Sequence, residues 1–232
     1  MSEVPEIKSD EIEAASDEVG SAPDTASLDS VALSALLSSR VCHDLINPVG
    51  AIGSGLEVLD DQDMDSTMRE AAMDLIKSGA EKAIAVLSYA RLAYGAAGGY
   101  GAQISLDDAK SVLGKVFEHV KADMEWLLPG GLAAKENVKV LLILGYAAAD
   151  TVPRGGVVAF EGTVNEFTIR ATGKRLILQD DLVRALSGDT HEIAPKFTPA
   201  LIASKILSEV GGVIKVDKSD EAIEFSCVFP VK

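Results

Sequence analysis

The residues of this chain best suited to chemistry lie in one run, Ser39-Arg40-Val41-Cys42-His43-Asp44-Leu45-Ile46-Asn47-Pro48-Val49-Gly50. Wound as a helix at about 100° per residue with His43 at zero, Val41, Leu45, Ile52 and Leu59 fall at about 160–200°. Pro48, Val49 and Leu56 flank that arc, whereas Asn47, Gly50 and Ser54 fall within about 40° of the histidine. His43 therefore points away from the apolar stripe, unlike a core histidine. An imidazole exposed on a helix is largely neutral at cytosolic pH and is a competent nucleophile toward phosphorus. Asp44 can hold one ring nitrogen as N–H and leave the other free to attack. Phosphoryl transfer asks for in-line approach and charge neutralisation more than for covalent machinery. The neutralising Mg²⁺ can sit on a partner that carries an acceptor aspartate, so no cofactor need be bound by this chain.

The surroundings of His43 suit docking. Ser39, Asn47, Gly50, Gly53 and Ser54 are small, and each glycine inside a helix costs about 1 kcal/mol relative to alanine. A smooth approach surface justifies that cost, with Arg40, Gly50 and Ser54 as the expected partner contacts. A metal centre on His43 and Asp44 is disfavoured, because adjacent helical residues diverge by about 100° and no second His or Cys lies at i+3 or i+4. His119 and His191 have no carboxylate or nucleophile at helical spacing and read as surface or rim residues.

The elements that must position His43 follow from the pattern around it. Residues 28–95 are dense in Ala, Leu, Ile, Met and Glu/Lys at helical spacing, interrupted once by Asp60-Asp61-Gln62-Asp63-Met64-Asp65-Ser66, which predicts two long helices in an antiparallel hairpin. Such a hairpin cannot bury its apolar faces on both sides, so pairing with a second copy into a four-helix bundle is the economical solution. Four glycines within Gly95–Gly101 mark a helix stop and a boundary to a second domain over residues 96–232. There the expected helices run from Ser105 to about Lys121, over Lys135–Asp150, Asp180–Leu186 and Pro199–Val210. Strands are expected over Met124–Leu128, Val157–Glu161, Glu166–Ala171, Val213–Asp217 and Ala222–Val228. The sum is an α+β fold: a helical hairpin, then an α/β sandwich with a small, mostly antiparallel sheet and helices on one side.

Charge narrows the partners. The 232 residues carry a formal net charge of −15, and eight of the acids (Glu3, Glu6, Asp10, Glu11, Glu13, Asp17, Glu18, Asp24) lie in residues 1–27 against Lys8 alone. That segment reads as a disordered acidic tail. No Lys/Arg cluster is available to displace counterions from phosphates, so nucleic acid is not expected as a partner, nor is an anionic membrane. The longest uninterrupted apolar stretch, Val140–Ala149, is about half of what a bilayer requires. Cys42 and Cys227 lack metal-ligand spacing and suit a reducing cytoplasm.

His43-Asp44-Leu45-Ile46-Asn47-Pro48 resembles the H-box of the dimerisation and phosphotransfer domain of sensor histidine kinases. The second half resembles their ATP-binding domain with its chemistry removed. Aligned on Gly155-Gly156, Ala147 stands where the kinase has its Mg²⁺-binding asparagine. Ala171 replaces the adenine-reading aspartate and Arg175 the second glycine of the D-x-G-x-G motif. The segment from Pro195 to Val216 is similar to the last kinase box but lacks the glycine pairs that let backbone N–H groups approach phosphate. Three runs, Leu36 to Asp44, Gly50 to Leu59 and Ala90 to Gly98, make the chain similar to the bacterial histidine phosphotransferases over nearly its full folded length.

This resemblance implies a homodimer on a four-helix bundle, followed by a degenerate histidine-kinase-ATPase-like sandwich that no longer binds ATP. It also implies a cytoplasmic phosphorelay, in which His43 takes phosphate from the receiver domain of a hybrid histidine kinase and passes it to receiver domains of response regulators in a CtrA-type cell-cycle pathway. Carried over by position, His43 is the phosphoacceptor, Asp44 its neighbouring carboxylate and Asn47 a further site residue one turn on. Two other functions fit the same residues: an ATP-dependent histidine kinase with a divergent pocket, and a non-catalytic scaffold that only docks receiver domains.

Overall fold

A computed structural model describes residues 29–61, 63–95 and 103–230. The expected tail over 1–27 and most of the glycine-rich segment lie outside the described residues. Helix α1 (Ser30–Leu59) and helix α2 (Ser66–Ala93) form the hairpin. Each opens on an aspartate N-cap, Asp29 accepting from the Ala32 N–H at 2.7 Å and Asp65 from the Met68 N–H at 2.8 Å, which satisfies a backbone donor the first turn would otherwise leave free. α1 continues through Pro48, whose ring removes one backbone donor.

The two helices approach closely at glycines. A Cβ on Gly79 would stand 2.7 Å from the Pro48 carbonyl oxygen and 3.0 Å from Ile52 Cγ1. Gly79→Ala is therefore expected to destabilise the hairpin. The overpacking cost of about 1–3 kcal/mol exceeds the gain of about 1 kcal/mol in helix propensity, and a lowered midpoint in urea unfolding is the measurement that shows it.

The second domain begins with strand β1 (Gln103–Ser105), helix α3 (Leu106–Phe117), strand β2 (Ala122–Trp126) and strand β3 (Leu132–Ala134). Helix α4 (Lys135–Asp150), strands β4 (Gly156–Gly162) and β5 (Glu166–Gly173) and helix α5 (Asp180–Leu186) follow. A 3₁₀ turn at Pro195–Phe197 leads into helix α6 (Thr198–Val210), and strands β6 (Val213–Lys218) and β7 (Ala222–Val228) complete the fold. The main sheet has the order β2-β4-β5-β7-β6, parallel between β2 and β4 and antiparallel elsewhere. β1 and β3 form a separate antiparallel pair, which the sequence reading did not anticipate because three residues are too few to show alternation. α3 also stops earlier than Lys121: His119 N–H and Val120 N–H donate to carbonyls three residues back, Val116 and Phe117, a tightening that ends a helix.

α4 is apolar on every side, with Val138, Val140, Leu141, Leu142, Ile143 and Leu144 all buried, as a helix packed all round must be. The sheet covers one side of it. On the other lies α2, whose Tyr89 hydroxyl donates to the Leu142 carbonyl at 3.3 Å. Ala85, Tyr89 and Ala93 of α2 join the same apolar core as Phe160, Phe225 and Leu201 of the second domain. Hairpin and sandwich thus share one core. Cys227 is buried in it, which pushes its thiol up to about 12, while Cys42 is exposed and both are free. Among the described residues no helix is long and apolar enough to cross a membrane.

Candidate functional site

His43 projects from the middle of α1 with its side chain 77% exposed. Ser39, Asn47, Gly50, Gly53 and Ser54 are exposed around it. Cβ atoms added at Gly50 or Gly53 would meet nothing within 4 Å, so packing within this chain does not require either glycine. The helical face behind is divided in a way the wheel did not separate. Pro48 and Gly55 are buried against α2, with Val41, Leu45, Ile52 and Leu59 half-buried, whereas Val49 and Leu56, expected to flank that arc, are 55% and 51% exposed. With Cys42, Ile46 and Gly53 they form a second stripe at heptad spacing, exposed along its whole length.

Asp44 stands beside the imidazole but does not hydrogen-bond to it: His43 Nδ1 and Asp44 Oδ1 are 3.7 Å apart. Its other oxygen accepts from Arg40 Nε at 2.8 Å. The expectation that Arg40 offers its guanidinium to a partner needs correction. The side chain is 13% exposed, its Nη1 donates to the Lys196 carbonyl at 3.3 Å, and its guanidinium carbon lies 5.8 Å from the Tyr146 ring centre. An arginine four residues before an aspartate on one helix face reaches back to that carboxylate before it reaches outward. Burial works against the Arg40 charge, but Asp44 and the phenol oxygens of Tyr94 and Tyr146 more than offset it, and its pKa lies above the usual arginine value.

Three of the chain's four tyrosines meet beside Arg40. Tyr89 makes edge contacts with Tyr94 at 5.5 Å and with Tyr146 at 5.2 Å. Burial raises the pKa of all three hydroxyls. The sequence reading missed this junction, since nothing in local spacing brings residues 89, 94 and 146 together. The Arg40-to-Asp44 interval was the one local signal available. His119 is half-buried beside Lys82 and Val86 of α2, and His191 is exposed, its backbone held by Asp189 and Arg184.

The junction closes the cleft at which the kinase resemblance places a nucleotide. Ala147 lines it with Arg40, Tyr146, Asp150 and Lys196. The free space is about 40 Å³, against roughly 300 Å³ or more for a small-molecule site. Ala147 has no metal-binding atom, and Asp150, the carboxylate lining the cleft, faces the Lys196 ammonium at 3.8 Å. Burial nonetheless raises the Asp150 pKa, with Lys196 and Arg40 working against the rise. Ala171 is buried within the sheet between Val158 and Ile223. These residues do not fit a metal-bound nucleotide. Among the described residues no group of three or more His, Cys, Asp and Glu side chains could hold a metal ion.

Known proteins resemble the chain as a whole. Residues 106–222 match the family described as the histidine phosphotransferase C-terminal domain. Protein phosphotransferase ChpT of Brucella abortus (strain 2308) is 38% identical over 210 residues, spanning 86% of this chain and 96% of that protein. A solved structure described as a bacterial phosphotransferase superposes with a TM-score of 0.76 at 35% identity, covering 86% of this chain and 97% of the other. The catalytic domain of the histidine kinase ThkA is a more distant match, with a TM-score of 0.40 and 14% identity over 55% of this chain and 93% of that one. With half the chain matched to one family and a close relative spanning nearly all of its folded length, the protein belongs to the histidine phosphotransferases.

Proposed function

We propose that this phosphotransferase carries a phosphoryl group on His43, accepting it from the phosphoaspartate of one receiver domain and yielding it to the aspartate of another. The observation that carries the reading is an imidazole 77% exposed on a helix, with Nδ1 toward a carboxylate and the small residues Ser39, Asn47, Gly50 and Ser54 exposed on its face. The nitrogen on the far side of the ring, Nε2, supplies the attacking lone pair. The N–P bond forms as the acyl O–P bond breaks, its electron pair returns to the receiver's carboxylate, and Nδ1 keeps its proton. The ring becomes a phosphoimidazolium, and Asp44 faces the new positive charge. Attack by a second receiver's carboxylate reverses each change. The Mg²⁺ that neutralises the phosphoryl oxygens belongs to the receiver.

By the family resemblance the donor is the receiver domain of a hybrid histidine kinase and the acceptors are response regulators of the CtrA type, in the cytoplasm. The exposed stripe on α1 supports a homodimer, in which it packs against its counterpart in a four-helix bundle. The occupied cleft supports a phosphotransferase that takes no phosphate from ATP itself.

A phosphotransfer time course tests the reading. Label from a phosphorylated receiver is expected on this chain within the first time points and on a second receiver thereafter. Label acquired from ATP with no other protein present would establish an ATP-dependent kinase instead. Receiver binding with no label would establish a scaffold. Gly50 separates docking from folding: Gly50→Leu is expected to slow transfer at least tenfold by obstructing the receiver. The variant should unfold no more easily than the parent, because the space over Gly50 is open. Unchanged transfer in Gly50→Leu would remove this face from the docking surface.

A further inference from the structure

Arg40 ties the reactive turn of α1 to the second domain. Its seat is built by parts distant in sequence: the Tyr146 ring on α4, the Lys196 carbonyl ahead of α6, and Tyr89 on α2 packed edge-on against Tyr146. Lys196 is itself held, its Nζ donating to Gln179 Oε1 at 3.2 Å and facing Asp150 at 3.8 Å. An exposed Arg–Asp pair on a helix contributes little, but Arg40 and Asp44 are only 13% and 17% exposed, so few other arrangements are open to them. The guanidinium fork engages two acceptors at a set angle, which a lysine ammonium on a flexible stem does not reproduce.

Asp44 divides its two oxygens. Oδ2 is bound to Arg40, which leaves Oδ1 standing 3.7 Å from His43 Nδ1. A carboxylate already in place stabilises the positive charge that develops on the ring during transfer, with no reorganisation at the moment of reaction. We infer that Arg40 is a positioning residue for phosphotransfer: seated between the hairpin and the second domain, it holds Asp44 Oδ2 and so keeps Oδ1 beside the His43 ring. The former nucleotide cleft then serves as the socket for this arginine. This inference rests on His43 being the phosphoacceptor.

The test measures transfer from a phosphorylated receiver to the full chain, as saturating rate and KM for the receiver, with rates normalised to the folded fraction from circular dichroism. Arg40→Met is expected to lower the saturating rate about tenfold while KM changes less than twofold. Arg40→Lys keeps the charge without the fork and is expected not to restore the rate. Tyr146→Leu removes part of the seat without touching Asp44 and is expected to lower the saturating rate in the same direction. Because Arg40 acts through Asp44, the double variant Arg40→Met/Asp44→Asn is expected to be no slower than Asp44→Asn alone. A saturating rate unchanged in Arg40→Met, an effect confined to KM, or single effects that multiply in the double variant would each overturn the inference. His43→Ala keeps the two readings apart. Label on that variant overturns the site itself, whereas an inert His43→Ala beside a fully active Arg40→Met overturns only the role of Arg40.

Discussion

His43→Ala is expected to abolish phosphotransfer in both directions, to background, while leaving the protein folded. The loss is complete because no side chain on that face can take over as nucleophile: Ser39, Asn47, Gly50 and Ser54 share it, and unactivated hydroxyls, an amide and a glycine do not attack phosphorus at neutral pH, while the exposed Cys42 thiol points about 100° away around the helix. The fold survives because the imidazole is 77% exposed and Asp44 already has Arg40 as its hydrogen-bond partner. Substitutions at such surface positions usually change stability by no more than about 0.5 kcal/mol, and alanine is the better helix former. The readout is acid-labile, base-stable label on the parent and none on the variant, with equal melting curves. Label persisting on His43→Ala would place the phosphoacceptor elsewhere in the chain.

Val49→Glu is expected to turn the proposed homodimer into a monomer. Val49 belongs to the exposed stripe on α1 with Ile46 and Leu56, and Met73, Ile84 and Leu87 are exposed on α2. Two helices of 30 and 28 residues bury few of their own residues, only Pro48 and Gly55 on α1, so much of their apolar surface is left for a second copy. A glutamate at position 49 would place two unpaired carboxylates in a symmetric interface. At roughly 3 kcal/mol each, they would weaken association by on the order of ten-thousand-fold. Light scattering at micromolar concentration is expected to give twice the chain mass for the parent and a single chain mass for Val49→Glu. A parent that is monomeric at that concentration sinks the bundle, whatever the variant does.

Much of this molecule was legible in its sequence, and the failures share a cause. α1, α2 and α6 follow from helical periodicity and their stop signals, α4 from a long apolar run that ends before Pro153, the β4–β5 hairpin from alternation, and β6 and β7 from two short closing runs, because those cues are local. The parallel pairing of β2 with β4 and the three-residue strands β1 and β3 depend on partners far along the chain. At the site, the exposure expected for His43 agrees with the structure because one helical wheel is enough to place it. The same wheel merged two apolar faces of α1 into one, since periodicity reports that a side chain is apolar but not which neighbour covers it. Arg40 looked like a free charge because its other contacts, the Lys196 carbonyl and the Tyr146 ring, lie more than 100 residues away. That alanines stand at positions 147 and 171 could be read from the sequence, but not that a side chain from the hairpin lines the cleft beside Ala147.

The shared core gives the hairpin two unequal ends. Ala85, Val86, Tyr89 and Ala93 are buried toward the C-terminal end of α2, where it meets α3 and α4, whereas in the half nearer the turn only Ala72 and Gly79 are. Amide hydrogen exchange should therefore be graded along both helices, slowest in the stretch backed by the sandwich and fastest near residues 56–70, where another copy of the chain would be the main protection. Since Pro48 lies level with Gly79 across the hairpin, His43 falls on the slow side of that gradient. A protein graded in this way would lose order first at the tip of its hairpin, while the turn that bears the imidazole keeps its shape.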